Sequence, residues 1–151
     1  MTESVKKLIN KEVYEKNAIR PWARITDFVF SADGKMVESA ILTSLSLIPI
    51  IYVVSLEDLK KNGDILVLKD GIKPQAIEKE YNYPVEFGKL KKRPFYSMGK
   101  RLKIRDVCFD AEFGEITDFI ASPLPVGRKT YFQPESEEIE KIICEKTGKG
   151  R

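Results

Sequence analysis

Two stretches of this chain repeat one another. Ile25-Thr26-Asp27-Phe28-Val29-Phe30 and Ile104-Arg105-Asp106-Val107-Cys108-Phe109 both read I-x-D-h-h-F, where h is apolar. The match runs on through a turn. Ser31-Ala32-Asp33-Gly34-Lys35 answers Asp110-Ala111-Glu112-Phe113-Gly114-Glu115 with one residue inserted, and Met36 to Ile41 answers Ile116 to Ala121. A duplicated segment of this length makes the chain a tandem repeat of one small unit, and both copies have to solve the same local folding problem.

The repeated segment reads as two strands closed by a tight turn. Gly34 and Gly114 each follow acidic or small turn residues, where a type I turn ending in a left-handed residue closes a hairpin. Asp33 and Glu112 are expected to serve those turns through local backbone bonds. Upstream, Val13-Tyr14 and Phe95-Tyr96 each precede a polar turn, the first of which, EKNAIRPWAR, is three residues longer. Downstream, Tyr52 to Leu59 aligns with Tyr131 to Ile139, more weakly, and SLEDLKK reads as a short helical turn. DILVLKDG predicts a strand over 65–68, and Ile139, Ile142 and Ile143 fall at helical spacing. The expected organisation is a first unit over 1–71, a linker over 72–87 carrying two prolines, and a second unit over 88–151 ending in a frayed GKGR.

Composition removes much chemistry. The 151 residues contain no histidine, so imidazole-based nucleophile systems and His-ligated zinc are excluded. Cys108 and Cys144 lack CxxC spacing, and the opening MTESVKKLINKEVYEK has no signal-peptide core, so a reducing cytoplasm is the expected setting. Cys108 reads as a small buried hydrophobe, with a reactive thiol as the alternative. Ser39 to Leu56 carries no charge, but Pro49 and five Ser or Thr residues interrupt it. Two buried strands joined by an irregular connection account for it better than a spanning helix, which predicts a soluble protein without an integral membrane segment.

The acids around the second copy invite a catalytic or metal reading. Strand alternation puts Asp106 on one face with Ile104 and Cys108, and Asp27 with Ile25 and Val29. An acid flanked by apolar residues must find donors, so Asp27 and Asp106 are expected to be structural carboxylates that accept backbone N–H bonds. An EF-hand loop would need oxygens where Val107, Cys108 and Phe109 stand. Asp106 and Asp110 would lie about 13 Å apart along a strand, too far for one ion. No catalytic residue, metal site or cofactor is assigned.

The order V-Y, then I-x-D-h-h-F, a glycine turn, a further strand and SLEDLKKNGDILVL resembles the PRC-barrel family, small β-barrels named after photosynthetic reaction centres. The likeness covers residues 8 to 70 and, in the second copy, 88 to about 143, where it is good through Ser122. It implies an all-β fold: two tandem small antiparallel barrels with short helical turns. Relatives include the cytoplasmic part of the reaction-centre H subunit and the C-terminal half of a ribosome-maturation factor. The family pattern contains no active site, so the resemblance implies a non-enzymatic protein. Unlike those two relatives, the chain is expected to carry neither a membrane helix nor a separate domain ahead of the barrel.

Two surfaces are left as candidates for function. Between Lys89 and Arg105 stand eight basic residues, Lys89, Lys91, Lys92, Arg93, Lys100, Arg101, Lys103 and Arg105, with Phe95 and Tyr96 among them and no acid. Such a hairpin suits RNA phosphates, an acidic protein surface or plain solvent. Trp22, between Arg20 and Arg24, is either an interface anchor near the apolar 44–51 segment or a plug for the first barrel. The expected function is a cytoplasmic protein-interaction adaptor with an unidentified protein partner, with an RNA- or ribosome-associated maturation factor as the alternative. Units of about 65 residues bury marginal cores, so mutual packing or homodimerisation is expected to help them.

Overall fold

The computed structural model describes residues 2–63, 65–77 and 85–146, with side chains described through Ile143. The side chain of Cys144, the terminal GKGR and linker residues 78–84 lie outside that part. Along the chain come β1 (Thr2–Ser4), α1 (Val5–Leu8), β2 (Glu12–Tyr14), β3 (Ala23–Phe30), β4 (Val37–Ser44) and β5 (Ile51–Ser55). A 3-10 turn (Leu56–Asp58) leads to β6 (Leu59–Asn62), β7 (Ile65–Leu68) and β8 (Gln75–Ala76). Then follow α2 (Phe87–Leu90), β9 (Pro94–Ser97), β10 (Lys100–Asp110), β11 (Ile116–Pro123), β12 (Thr130–Phe132) and α3 (Glu137–Lys146). The fold is all-β in class, made mostly of strands with a few short helices.

The strands form two sheets. One runs β6-β7-β2-β3-β4-β5-β8, and the other runs β1-β10-β11-β12 with β9 also on β10. Among the described residues neither sheet closes on itself, so the expected pair of closed barrels is not seen. The uncharged 39–56 segment is β4, a loop and β5, and no described helix is long and apolar enough to cross a membrane.

The repeat is visible in the register. In the first hairpin the pairing slips between Ile25 and Asp27 and again between Val29 and Phe30. In the second it slips between Ile104 and Asp106 and between Cys108 and Phe109. Each slip is a β-bulge that adds one residue on one strand and reverses the side-chain alternation beyond it. Asp106 therefore does not share a face with Ile104. Leu102, Ile104, Val107 and Phe109 all enter the core, while Asp106 and Cys108 face the other way and are only half-buried. The same register removes the one-residue insertion expected at the turn. Val37 faces Phe30 as Ile116 faces Phe109, so the hairpins superpose residue for residue and only the glycine sits one position later. The shortening comes further on: Val54 and Phe132 face Ala40 and Phe119, which pairs Val53, not Tyr52, with Tyr131.

The two copies exchange their opening segments. β1 pairs with β10, Ser4 opposite Cys108, and α1 packs on the same strand. Reciprocally, Glu86 bridges to Val29 and α2 packs on β3. The hairpin tips also meet, with Val37 N donating to Gly114 O and Ile116 N to Lys35 O, both at 2.8 Å. Phe28 against Phe109 and Phe30 against Phe119, with ring centroids 6.3 and 6.4 Å apart, continue the contact inward. One hydrophobic cluster runs through both halves, from Val5 and Leu8 to Ile139, Ile142 and Ile143. Each such side chain, fully buried, contributes roughly 1.5–3 kcal/mol. The segment expected as a linker supplies β8, buried Val85 and the start of α2.

Candidate functional site

The repeated acids hold the exchanged segments. Asp27 Oδ1 accepts from Phe28 N at 2.8 Å and from Gly88 N, on α2, at 2.9 Å. Asp106 accepts from Val107 N at 2.7 Å, from Lys6 N on α1 at 2.9 Å, and from the Ser4 hydroxyl. Burial pushes the Asp27 carboxyl above its ordinary value, against the opposing pull of its two backbone donors. Gly88 is required by this approach, because a Cβ there would stand 2.7 Å from Asp27 Oδ2. Oδ1 of each carboxylate is thus committed to two backbone donors, and Asp106 Oδ2 to the Ser4 hydroxyl, which gives both acids a structural role.

The turn acids divide differently from expectation. Asp33 accepts from Ser31 Oγ at 2.6 Å and Lys35 N at 3.0 Å, and the Ser31 hydroxyl holds its carboxyl below the ordinary value. In the second turn Asp110, not Glu112, makes the local bonds, accepting from Glu112 N at 2.8 Å. Glu38, Glu57 and Glu112 line an open cleft of about 690 Å³ near the hairpin tips. Among the described residues no three His, Cys, Asp or Glu stand close enough to hold a metal ion. Cys108 is half-buried instead of buried, because the bulge turns it toward Asp106 and Asp118. Burial first, then those two carboxylates, push its thiol up and disfavour the thiolate.

At the far end of the first sheet the β4–β5 connection forms a pinned apolar loop. Ser44 N donates to Ile50 O and Ile50 N to Ser44 Oγ, Ser46 Oγ donates to Ile48 O, and Leu45 N donates to Trp22 O. The serines thus lock the backbone while the apolar side chains point out. Leu47 is 99% exposed and Ile48 79%, with Leu45, Ile50 and, on the adjoining β2–β3 loop, Ile19 also exposed. Trp22 lies partly buried against the core, edge-on to Tyr52 with ring centroids 5.0 Å apart, and its indole nitrogen is buried without a partner. It braces the loop from below.

The eight basic residues do not form one hairpin. Lys89 belongs to α2, where it pairs with Glu86 at 3.1 Å, and Lys91 Nζ lies 5.5 Å over the Phe87 ring. With Lys92 and Arg93 they flank the helix that docks on β3. Lys100, Arg101, Lys103 and Arg105 lie on β10, and only these face β9 and β11. The β9–β10 turn is Met98-Gly99, both left-handed at φ 51° and 76°, the backbone of a two-residue type I′ hairpin. Residue patterns alone did not reveal that Tyr96 and Tyr131 are 71% and 61% exposed. Tyr131 could be placed only by a register that shortens the second β-loop by one residue.

A cleft of about 720 Å³ lies between the β2–β3 turn and the β6–β7 hairpin, with Lys16 paired to Asp70 at 3.2 Å. It is open, and its described charged residues are Lys16, Lys60, Lys69, Glu15 and Asp70. No family model matches the chain, and no curated protein matches it.

Proposed function

We propose that this chain is a non-enzymatic adaptor built from tandem PRC-barrel-like units, acting in the cytoplasm by presenting the 45–50 loop to a protein partner. The identical paired bulges and the reciprocal capping acids support the tandem reading. The pinned apolar loop is the observation that carries the function. Leu47 and Ile48 at the tip expose large apolar side chains on a backbone already ordered by Ser44 and Ser46, so a partner meets little ordering entropy. Exposed Arg20 and Arg24 nearby supply the polar rim expected around an apolar anchor.

The test compares affinity capture with the native chain and with the double variant Leu47→Asp, Ile48→Asp. Because both residues are exposed, stability should change by no more than about 0.5 kcal/mol. The expected result is one protein retained by the native chain and lost from the variant, with direct binding of the purified pair reduced at least tenfold. Equal retention by both proteins would sink the reading. Sedimentation equilibrium decides whether the occupant is a second copy of this chain.

A further inference from the structure

The two repeats provide an internal comparison of one sheet face. In the first copy the matching positions are Glu12 and Tyr14 on β2, Trp22 before β3, whose ring instead packs against the core, Arg24 and Thr26 on β3, and Val53 on β5. Their register counterparts in the second are Pro94, Tyr96, Arg101, Lys103, Arg105 and Tyr131. The hydrogen bonds agree: Leu45 N donates to Trp22 O as Leu124 N donates to Arg101 O. Glu12 and Arg24 cancel in charge, whereas Arg101, Lys103 and Arg105 sum to three positive charges with no acid among the six.

The face is shared by all of these side chains. Tyr96 stands opposite Arg101, Pro94 opposite Lys103, Lys103 opposite Ser122, and Tyr131 opposite Ile120. Arg105, at the bulge, donates through Nε to Ser122 Oγ at 2.8 Å. The intervening residues Phe95, Leu102 and Phe132 turn to the other face, where Phe95 and Phe132 pack edge-on at 5.6 Å. Of the carboxylates bordering the patch, Asp106 is held by α1, Asp118 by Gln133 Nε2 at 3.1 Å and Glu138 by the Ser97 hydroxyl at 2.7 Å, while Glu137, which lines a cleft with Glu138, Pro94 and Tyr96, lies 4.0 Å from Lys141 Nζ. Arg128 and Lys129, exposed on the neighbouring loop, extend the positive rim.

We infer that this face, with Tyr96 and Tyr131 at diagonal corners and Arg101, Lys103 and Arg105 between them, binds single-stranded nucleic acid. Cations on a sheet neutralise backbone phosphates, and an exposed aromatic ring offers a base a stacking platform of any sequence. An acidic peptide would use the cations but would leave both tyrosine rings idle. Pro94 on the edge strand removes a donor and discourages pairing with another strand, which leaves the face to a ligand lying across it. This surface is separate from the 45–50 loop, and neither proposal depends on the other.

The experiment is fluorescence anisotropy with labelled oligouridine and oligothymidine of about ten nucleotides, a length within the usual single-strand site. Tyr96→Ala and Tyr131→Ala should each weaken binding by about fivefold or more, and Tyr96→Phe should restore it. Arg101→Ser and Lys103→Ser should each flatten the dependence of log affinity on log salt by about 0.7. Lys35→Ser, at the distant hairpin tip, should change nothing. The proposal fails if neither oligonucleotide binds at low salt, or if the tyrosine variants bind as the native chain does. It also fails if polyglutamate competes as well as the oligonucleotides, since an acidic protein segment would then be the ligand.

Discussion

Asp27 and Asp106 show how one residue type can be fixed by the backbone it serves. Each accepts the N–H of its own successor and an N–H from the opening helix of the other repeat. Asp27→Ala would strand two donors in a half-buried site and should cost about 2–3 kcal/mol, read from chemical denaturation. Asp27→Asn keeps an oxygen for Phe28 and Gly88 but removes the charge that burial disfavours. Because the folded-state carboxyl is raised from 3.8, protonation favours the fold. That stabilisation is complete below the unfolded value and is lost as pH rises through the higher folded one. The melting temperature of Asp27→Asn, measured against the native chain, should therefore climb as pH is raised from below 4 toward neutrality. A gap that narrows instead would mean that the two hydrogen bonds outweigh desolvation.

At the scale of elements, hairpins and turns were legible because hydrophobic pattern and glycine placement are local. Gly34 and Gly114 both have left-handed φ, 73° and 79°, as their turns demand. What differs is room. A Cβ at Gly114 would stand 2.9 Å from the Val37 carbonyl oxygen, while at Gly63, also left-handed, it would meet nothing. Gly63→Ala should cost about 1 kcal/mol of backbone strain, and Gly114→Ala about 2 kcal/mol more, because a backbone oxygen cannot give way. Equal losses by thermal unfolding would contradict that reading. The bulges at Arg105 and Thr26 were illegible for a physical reason. A bulge changes which side chains face the core without changing their order, so strict alternation misassigned Asp106 and left Cys108 looking buried. The basic segment failed similarly: eight charges contiguous in sequence are divided between a helix docked on β3 and a strand of the other sheet. Tyr131 became meaningful only once cross-strand register placed it beside Ile120.

Over the whole molecule, one cluster of buried side chains joins both repeats, so they should unfold together. Trp22 is the single tryptophan and lies in the first copy, whereas Phe119 is fully buried in the second, 6.4 Å from Phe30. Phe119→Leu should lower the midpoint reported by Trp22 fluorescence and the one reported by far-ultraviolet circular dichroism by the same amount; two separated transitions would show independent units. The exchanged segments also set an order of events during synthesis. Lys6 and Ser4 find Asp106 only across 100 and 102 residues of chain, and Asp27 waits for Gly88 across 61. A ribosome releases the first hairpin well before its cap exists, and the turn at Ser4 to Lys6 emerges long before the Asp106 that holds it. Neither half can finish folding before the other's capping segment or acid has been made, so the nascent chain carries uncovered apolar strands at least until Asp106 has emerged.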